Sequence, residues 1–239
     1  MFKASRNNNM KYYVWCEDQG SGYQFWKALF SSLYPDHIVE TKNNNSKLNK
    51  AAEQIKNDGN IYYILIDDAV DNPDVMRETK RLYRTISGKN NVRKISIHSF
   101  EFSLLSFEML ENWVFAENDD LKDKRRDMLE ARRSYIKLIT GSETAAELND
   151  FKNKYNFSDK KNTEMIAAKI LYEITRNTGF ETDKSQVGHC FINNCCEWAD
   201  RQADDICGLN INRLTLTEKM EQIIEHSVLQ NAFKEAGIK

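Results

Sequence analysis

Two acidic clusters each follow directly on an apolar run. The first run, Tyr12-Tyr13-Val14-Trp15-Cys16, passes into Glu17-Asp18-Gln19-Gly20-Ser21-Gly22. The second, Ile61-Tyr62-Tyr63-Ile64-Leu65-Ile66, passes into Asp67-Asp68-Ala69-Val70-Asp71. If both runs are strands of an open parallel α/β sheet, their carboxyl ends lie where ligands collect, at the point where strand order reverses. Carboxylates gathered there make a hard, all-oxygen site suited to Mg2+ or Mn2+. The chemistry such a site supports is metal-assisted work on phosphates. Acids at strand ends also serve as helix caps, and for Asp71, just before Asn72-Pro73, that reading stands beside the metal reading. The pairing of Glu17 with Asp67-Asp68 favours the site.

The clusters need a sheet to bring them together, and the chain supplies the pattern. Strands are expected over 12–16, 37–40, 61–66 and 92–97. Between them lie an amphipathic stretch over 23–30, a helix carrying Leu48, Ala51, Ala52 and Ile55 on one face, and a helix from Asn72-Pro73-Asp74 to Ser87-Gly88. This β-α-β-α-β-α-β order over residues 11–98 demands a parallel sheet with right-handed crossovers. After His98 the character changes to helix. Leu104, Leu105, Phe107, Met109, Leu110, Trp113 and Val114 crowd one helix, and further helices are expected over 119–139, 142–155, 162–177, 187–207 and 215–236. The fold class is therefore α/β, a four-stranded parallel sheet flanked by helices and followed by a mainly helical carboxyl-terminal region. No Gly/Pro/Ser-rich linker divides the two parts, which favours one shared core.

Composition bounds the rest. The chain has 239 residues, 41% hydrophobic and 29% charged, with a formal net charge of -2. That balance is ordinary for a globular protein and argues against one basic throughout. No apolar stretch approaches the ~18 residues of a membrane span, so no membrane partner is expected, and the amino terminus lacks the apolar core of a signal peptide. Five cysteines, an odd number, fit reduced thiols and a cytoplasmic location.

The motif order resembles the Toprim domain. Val14-Trp15-Cys16-Glu17-Asp18 looks like its hydrophobic-hydrophobic-x-Glu motif, and Ile64-Leu65-Ile66-Asp67-Asp68-Ala69-Val70-Asp71 occupies the position of its Asp-x-Asp motif. Downstream, Ile97-His98-Ser99-Phe100-Glu101 and Phe107-Glu108-Met109-Leu110-Glu111-Asn112-Trp113 resemble a further acidic segment. That segment occurs in Toprim-like nucleases of anti-phage systems, including the overcoming-lysogenization-defect nucleases and the PARIS effector. The resemblance covers residues 11 to about 115. It implies a Toprim-like domain over 1–115, a helical region over 116–239, and a Mg2+- or Mn2+-dependent nuclease acting as a defence effector. Glu17 and Asp67 would be catalytic; Glu17, Asp67, Asp68 and Asp71 would ligate metal. Glu108 or Glu111, three apart on a helix, would complete a second metal site. The implied partners are nucleic acid as substrate, an ATPase, and a second copy of the chain. The sequence departs from the pattern at Ala69 and Val70, where a strict Asp-x-Asp needs an acid, and at Asp18, where glycine is common.

Other features carry weaker signals. Lys124, Arg125 and Arg126 sit on a basic-leaning helix face that suits either a phosphate backbone or plain solvent, since Asp119, Asp120, Asp127 and Glu130 dilute it. Gly20-Ser21-Gly22 is either a phosphate cradle or a simple helix entry. His189, Cys190, Cys195, Cys196 and Cys207 approach zinc-ligand spacing without matching it, which favours packing. Of the four histidines, His98 is the one expected to face the site. A response-receiver module would share the acids after strands one and three, but it needs a fifth strand ending in lysine where this chain turns helical. A non-enzymatic interaction protein is the remaining alternative.

Overall fold

The computed structural model describes residues 10–69, 71–117, 120–141, 145–196, 207–210 and 213–238. Four strands, β1 (Tyr12–Cys16), β2 (His37–Thr41), β3 (Ile61–Asp67) and β4 (Val92–Ile97), form one all-parallel sheet in the order β2-β1-β3-β4. The crossovers are α1 (Gly20–Leu33), α2 (Asn45–Glu53) and α3 (Pro73–Ile86). The chain leaves β1 toward β2 on one side and returns to β3 on the other. The switch point therefore lies between β1 and β3, and Trp15 pairs with Ile64 close to their carboxyl ends.

Period-two alternation sorts the two faces. Val14, Cys16, Tyr63, Leu65, Ile95 and Ile97 join the larger core. Tyr62, Ile64, Ile66 and Val92 join a smaller one with Leu48 and Ala52 of α2 and Leu82 of α3. A central strand covered on both faces accounts for the unbroken apolar run of β3. Side-chain caps fix the crossover entries. Asn44 accepts from the Lys47 amide to start α2, and Asn72 accepts from Asp74 and Val75 to start α3, with Pro73 in its first turn.

The remaining helices are α4 (Phe100–Ser106), α5 (Leu110–Val114), α6 (Asp120–Lys124), α7 (Arg126–Thr140), α8 (Ala145–Lys154), α9 (Thr163–Thr175), α10 (His189–Ile192), α11 (Leu216–Glu225) and α12 (Leu229–Ala236). Their apolar faces share the larger core with the sheet: Trp26 and Phe30 of α1 belong to one cluster with Phe100, Ile170, Met220 and Phe233. Phe30 and Phe233 stack at 5.6 Å between ring centroids. Among the described residues no helix is long and apolar enough to cross a membrane.

Four helical expectations are corrected. The one helix expected to carry Leu104 through Val114 is two, α4 and α5, with Phe107 and Met109 between them. The helix expected over 119–139 breaks at Arg125, which is buried and donates its guanidinium to the Glu173 and Arg176 carbonyls at the end of α9. Within 187–207 only α10 is helical among the described residues, and residues 197–206 lie outside them. The stretch 215–236 is two helices, because the chain turns between His226 and Val228 and the Val228 amide donates to Ser106.

A buried cation holds the link between α4 and α5. Arg132, with 6% side-chain exposure, donates to the Leu105 carbonyl at 2.7 Å and the Phe107 carbonyl at 2.5 Å. Arg132→Met takes this donor from both carbonyls, leaving Phe107 with the Leu110 amide, and is expected to lower unfolding free energy by about 2–4 kcal/mol in urea titration. Arg133→Met, at a side chain 58% exposed beside the same Glu111, is expected to change it by under about 1 kcal/mol.

Candidate functional site

Asp67 is the last residue of β3, and alternation turns it toward the larger core with Tyr63 and Leu65. It is 9% exposed, and its Oδ1 has no hydrogen-bond partner. Glu17 and Asp18 follow the end of β1. Asp18 is drawn inward by the Trp26 indole, which donates to its Oδ2 at 2.9 Å, while the Thr41 hydroxyl donates to its carbonyl at 2.5 Å. The Gly20-Ser21-Gly22 segment makes room for these groups. A Cβ on Gly22 would stand 2.5 Å from the Asp18 carboxylate, and one on Gly20 (φ +52) would stand 2.2 Å from the Lys184 carbonyl.

The structure adds two carboxylates that the sequence reading left out of the site. Glu101 lies in the first turn of α4, behind the Ser99 cap. Glu164 lies in the first turn of α9. That helix is brought to the sheet by Asp71, whose two oxygens accept from the Thr163 amide at 2.8 Å and the Thr163 hydroxyl at 2.6 Å. Asn72 Nδ2 reaches Glu164 Oε2 at 3.5 Å. Glu101 belongs to the downstream acidic segment of the sequence, so motif order could have nominated it. Glu164 has no local signal.

All five acids are raised, by burial first and in most by neighbouring negative charge. Burial first, then the charges of Asp18, Glu17, Glu101 and Glu164, hold the Asp67 carboxyl well above the usual range. Burial, reinforced by Asp18 and Glu164, pushes Glu17 up to about 7 against a hydrogen bond from Asn45. Burial also pushes Asp18 up to about 7, although the Trp26 hydrogen bond opposes it. Glu101 and Glu164 are raised, again by burial first. Lys184 opposes the shift at Glu101 from a loop docked on α1, where the Gln24 side-chain amide donates to the Ser185 carbonyl at 3.0 Å. Burial lowers His98 to about 4 despite Asp71 and Asp68, so its imidazole is neutral at pH 7. In donor type the cluster fits a hard divalent cation, and the unpartnered Asp67 Oδ1 is a ready acceptor for one. Among the described residues, no three His, Cys, Asp or Glu side chains stand close enough to hold one ion as placed. Ligation would draw the longer Glu17, Glu101 and Glu164 side chains inward.

The other expected site residues are used elsewhere. Asp68 accepts from the Tyr83 hydroxyl at 2.9 Å, and Lys94 donates to that hydroxyl at 2.7 Å. Asp71, expected as an outer ligand, instead binds Thr163, and Asn72 caps α3. Glu111 is surrounded by Arg133 at 3.0 Å, Lys122 at 3.7 Å and Arg132 at 3.8 Å, so its charge is already balanced. Glu108 is 76% exposed beside His226. Of the expected nucleic-acid contacts, Arg125 is buried, Arg126 pairs with Asp123 at 2.9 Å, and Lys124 is exposed. Cys190 and Cys195 are in no disulfide, and burial pushes the Cys190 thiol up to about 12, far from a zinc-binding thiolate. Comparison with known protein families, with curated proteins and with solved structures yields no match to this chain.

The raised carboxyls fix a sign for pH dependence. The folded state holds these protons more tightly than the unfolded chain, whose acids titrate near ~4. In EDTA, stability is therefore expected to fall as pH rises from about 4.5 through about 7. Asp67→Asn is expected to flatten that slope and to stabilise the protein at pH 8 by on the order of 1–3 kcal/mol. Thermal denaturation from pH 5 to 8 checks both, and stability rising across that window would contradict the cluster.

Proposed function

We propose that the chain is a divalent-cation-dependent nuclease that hydrolyses phosphodiester bonds in nucleic acid. One observation carries the reading: Glu17, Asp18, Glu101 and Glu164 lie near enough to Asp67, at the end of β3, for their charges to bear on its carboxyl. Bound Mg2+ or Mn2+ would polarise the phosphodiester and acidify an attacking water. Asp67, fixed by burial at a strand end, would anchor the ion, with Glu17 and Glu101 as further ligands. Glu17 is also the group positioned to accept a proton at the site. Asp18 is held rigid by Trp26, and exposed Lys184 offers a positive charge to a phosphate at the rim.

The structure offers a basic surface other than the one expected. Arg77, Lys80, Arg81 and Arg84 of α3 line one surface groove. Such a ridge suits a nucleic-acid backbone, although Asp74 and Glu53 already pair with Arg77 and Arg81. The defence-effector role and the ATPase partner belong to this proposal through motif order alone. The receiver reading gains one point, because β2-β1-β3-β4 is also the order of the first four strands in flavodoxin-like folds. Yet α12 packs against β4, and no fifth strand among the described residues brings a lysine to the site.

The purified chain is expected to cut at least one of plasmid, single-stranded DNA, total RNA and tRNA with Mg2+ or Mn2+. Glu17→Ala and Asp67→Ala should each lose about 100-fold or more, while Glu108→Gln retains activity. Cleavage surviving both alanine variants would refute the assignment. Absence of both cleavage and cation binding by calorimetry would leave the interaction-protein reading. The double variant Lys80→Glu/Arg84→Glu is expected to weaken nucleic-acid binding, with the log–log salt slope shallower by about 2.

A further inference from the structure

Beside the carboxylate cluster lies a cavity of about 570 Å³, of ligand-binding size. Phe102 of α4, Leu138 of α7 and Leu148 of α8 give it apolar walls, and Asp68, Ser96 and His98 give it polar groups at the carboxyl ends of β3 and β4. Asp71 and Thr163 also line it, and Glu164 is the next residue along, so the cavity and the cluster share a boundary.

The lining restricts what enters. Asp68 and Asp71 repel an anion, so a phosphate is excluded from the cavity itself. Asp71 already accepts from Thr163 on both oxygens, whereas among the described residues Asp68 accepts the Tyr83 hydroxyl on Oδ2 alone, and a carboxylate has about four acceptor sites. His98 Nε2 is buried without a hydrogen-bond partner, and the Ser96 hydroxyl lies 3.5 Å from Tyr83. The fitting guest is flat and largely apolar, carries no negative charge, and donates hydrogen bonds at one edge.

We propose that the cavity receives an unstacked nucleobase of the substrate strand and favours bases bearing an exocyclic amino group. This rests on the nuclease reading, with the adjoining phosphodiester held at the carboxylates while the base occupies the cavity. An amino group of cytosine, adenine or guanine donates to Asp68, the ring packs against Phe102 and Leu148, and remaining edge atoms meet Ser96 and His98. Uracil and thymine lack the amino donor and leave the Asp68 acceptor without it. Extruding a base into a pocket beside the reacting group also lets an enzyme select by sequence, which backbone contacts cannot do.

The test uses free nucleosides, which carry no phosphate for the cation site, titrated into the full chain in EDTA by ligand-observed NMR. Cytidine, adenosine or guanosine is expected to bind roughly ten-fold or more tightly than uridine. Ala145→Trp, at an exposed residue on the rim, is expected to abolish binding by filling the mouth. Asp68→Asn, nearly equal in volume, is expected to erase the preference over uridine. No nucleoside binding, equal binding of uridine, or binding unaffected by both variants overturns the proposal. Parallel cleavage assays separate the two readings. Metal-dependent cleavage without nucleoside selectivity overturns the cavity assignment alone. Selective nucleoside binding with neither cleavage nor cation binding overturns the nuclease and leaves a nucleobase-binding site.

Discussion

A carboxyl group placed where water scarcely reaches it is the constraint on which this architecture turns. Asp67 closes the central strand with one oxygen unpartnered and four other acids bearing on it. Desolvating a carboxylate without a partner costs several kcal/mol, which the group relieves by holding its proton. A chain shaped for stability alone would place an amide or an aliphatic residue there. The surrounding structure absorbs the strain because β3 is buried on both faces, in two apolar cores that fix its backbone. Rigidity of that strand is what lets an unfavourable group persist in one place.

The helical half is part of the same device. Asp71 reaches across to Thr163, and the Tyr135 hydroxyl donates to the Thr163 carbonyl at 2.5 Å, so the first turn of α9 is pinned from two sides. Ile166, Ile170 and Ile174 then anchor the helix in the larger core. Glu164 thus points its charge at the sheet edge from an element more than ninety residues away in sequence. The loop that bears Lys184 is placed by α1, whose Gln24 both donates to Ser185 and accepts from the Val187 amide. The carboxyl-terminal region therefore supplies a carboxyl group and a cation near the sheet's acids, and removing it would leave them without both.

Legibility followed range. The strands over 12–16 and 92–97 agree with the structure to the residue, and those at 37 and 61 each run one residue longer. Apolar runs and alternation are local, and a parallel β-α-β order leaves few topologies. The same locality placed Glu17 and Asp67 at strand ends. What depended on distant contacts was not readable. Asp71 looked like a ligand or a cap, and only the fold shows Thr163 as its partner. Glu111 looked free to bind metal until Arg132, Arg133 and Lys122 folded around it. Arg125 read as a surface cation because its partners, two carbonyls at the end of α9, carry no side-chain signature at all.

Charge balance gives the proposed chemistry its arithmetic. Fully ionised, Glu17, Asp18, Asp67, Glu101 and Glu164 carry five negative charges, and Lys184 returns one, leaving a deficit of four. One divalent cation halves that deficit and two remove it, whereas a phosphodiester adds a further negative charge. Without cations the cluster balances itself by holding protons, and each proton retained occupies an oxygen that a cation would need. Proton and cation would therefore compete for the same atoms, and cation binding would release protons near neutral pH. On that count, with Lys184 included, one ion leaves a deficit of two, two ions leave none, and a phosphodiester beside two ions would leave one negative charge. On the proposed reading the five acids therefore call for two cations, since a lone ion would be served by fewer acids with less repulsion.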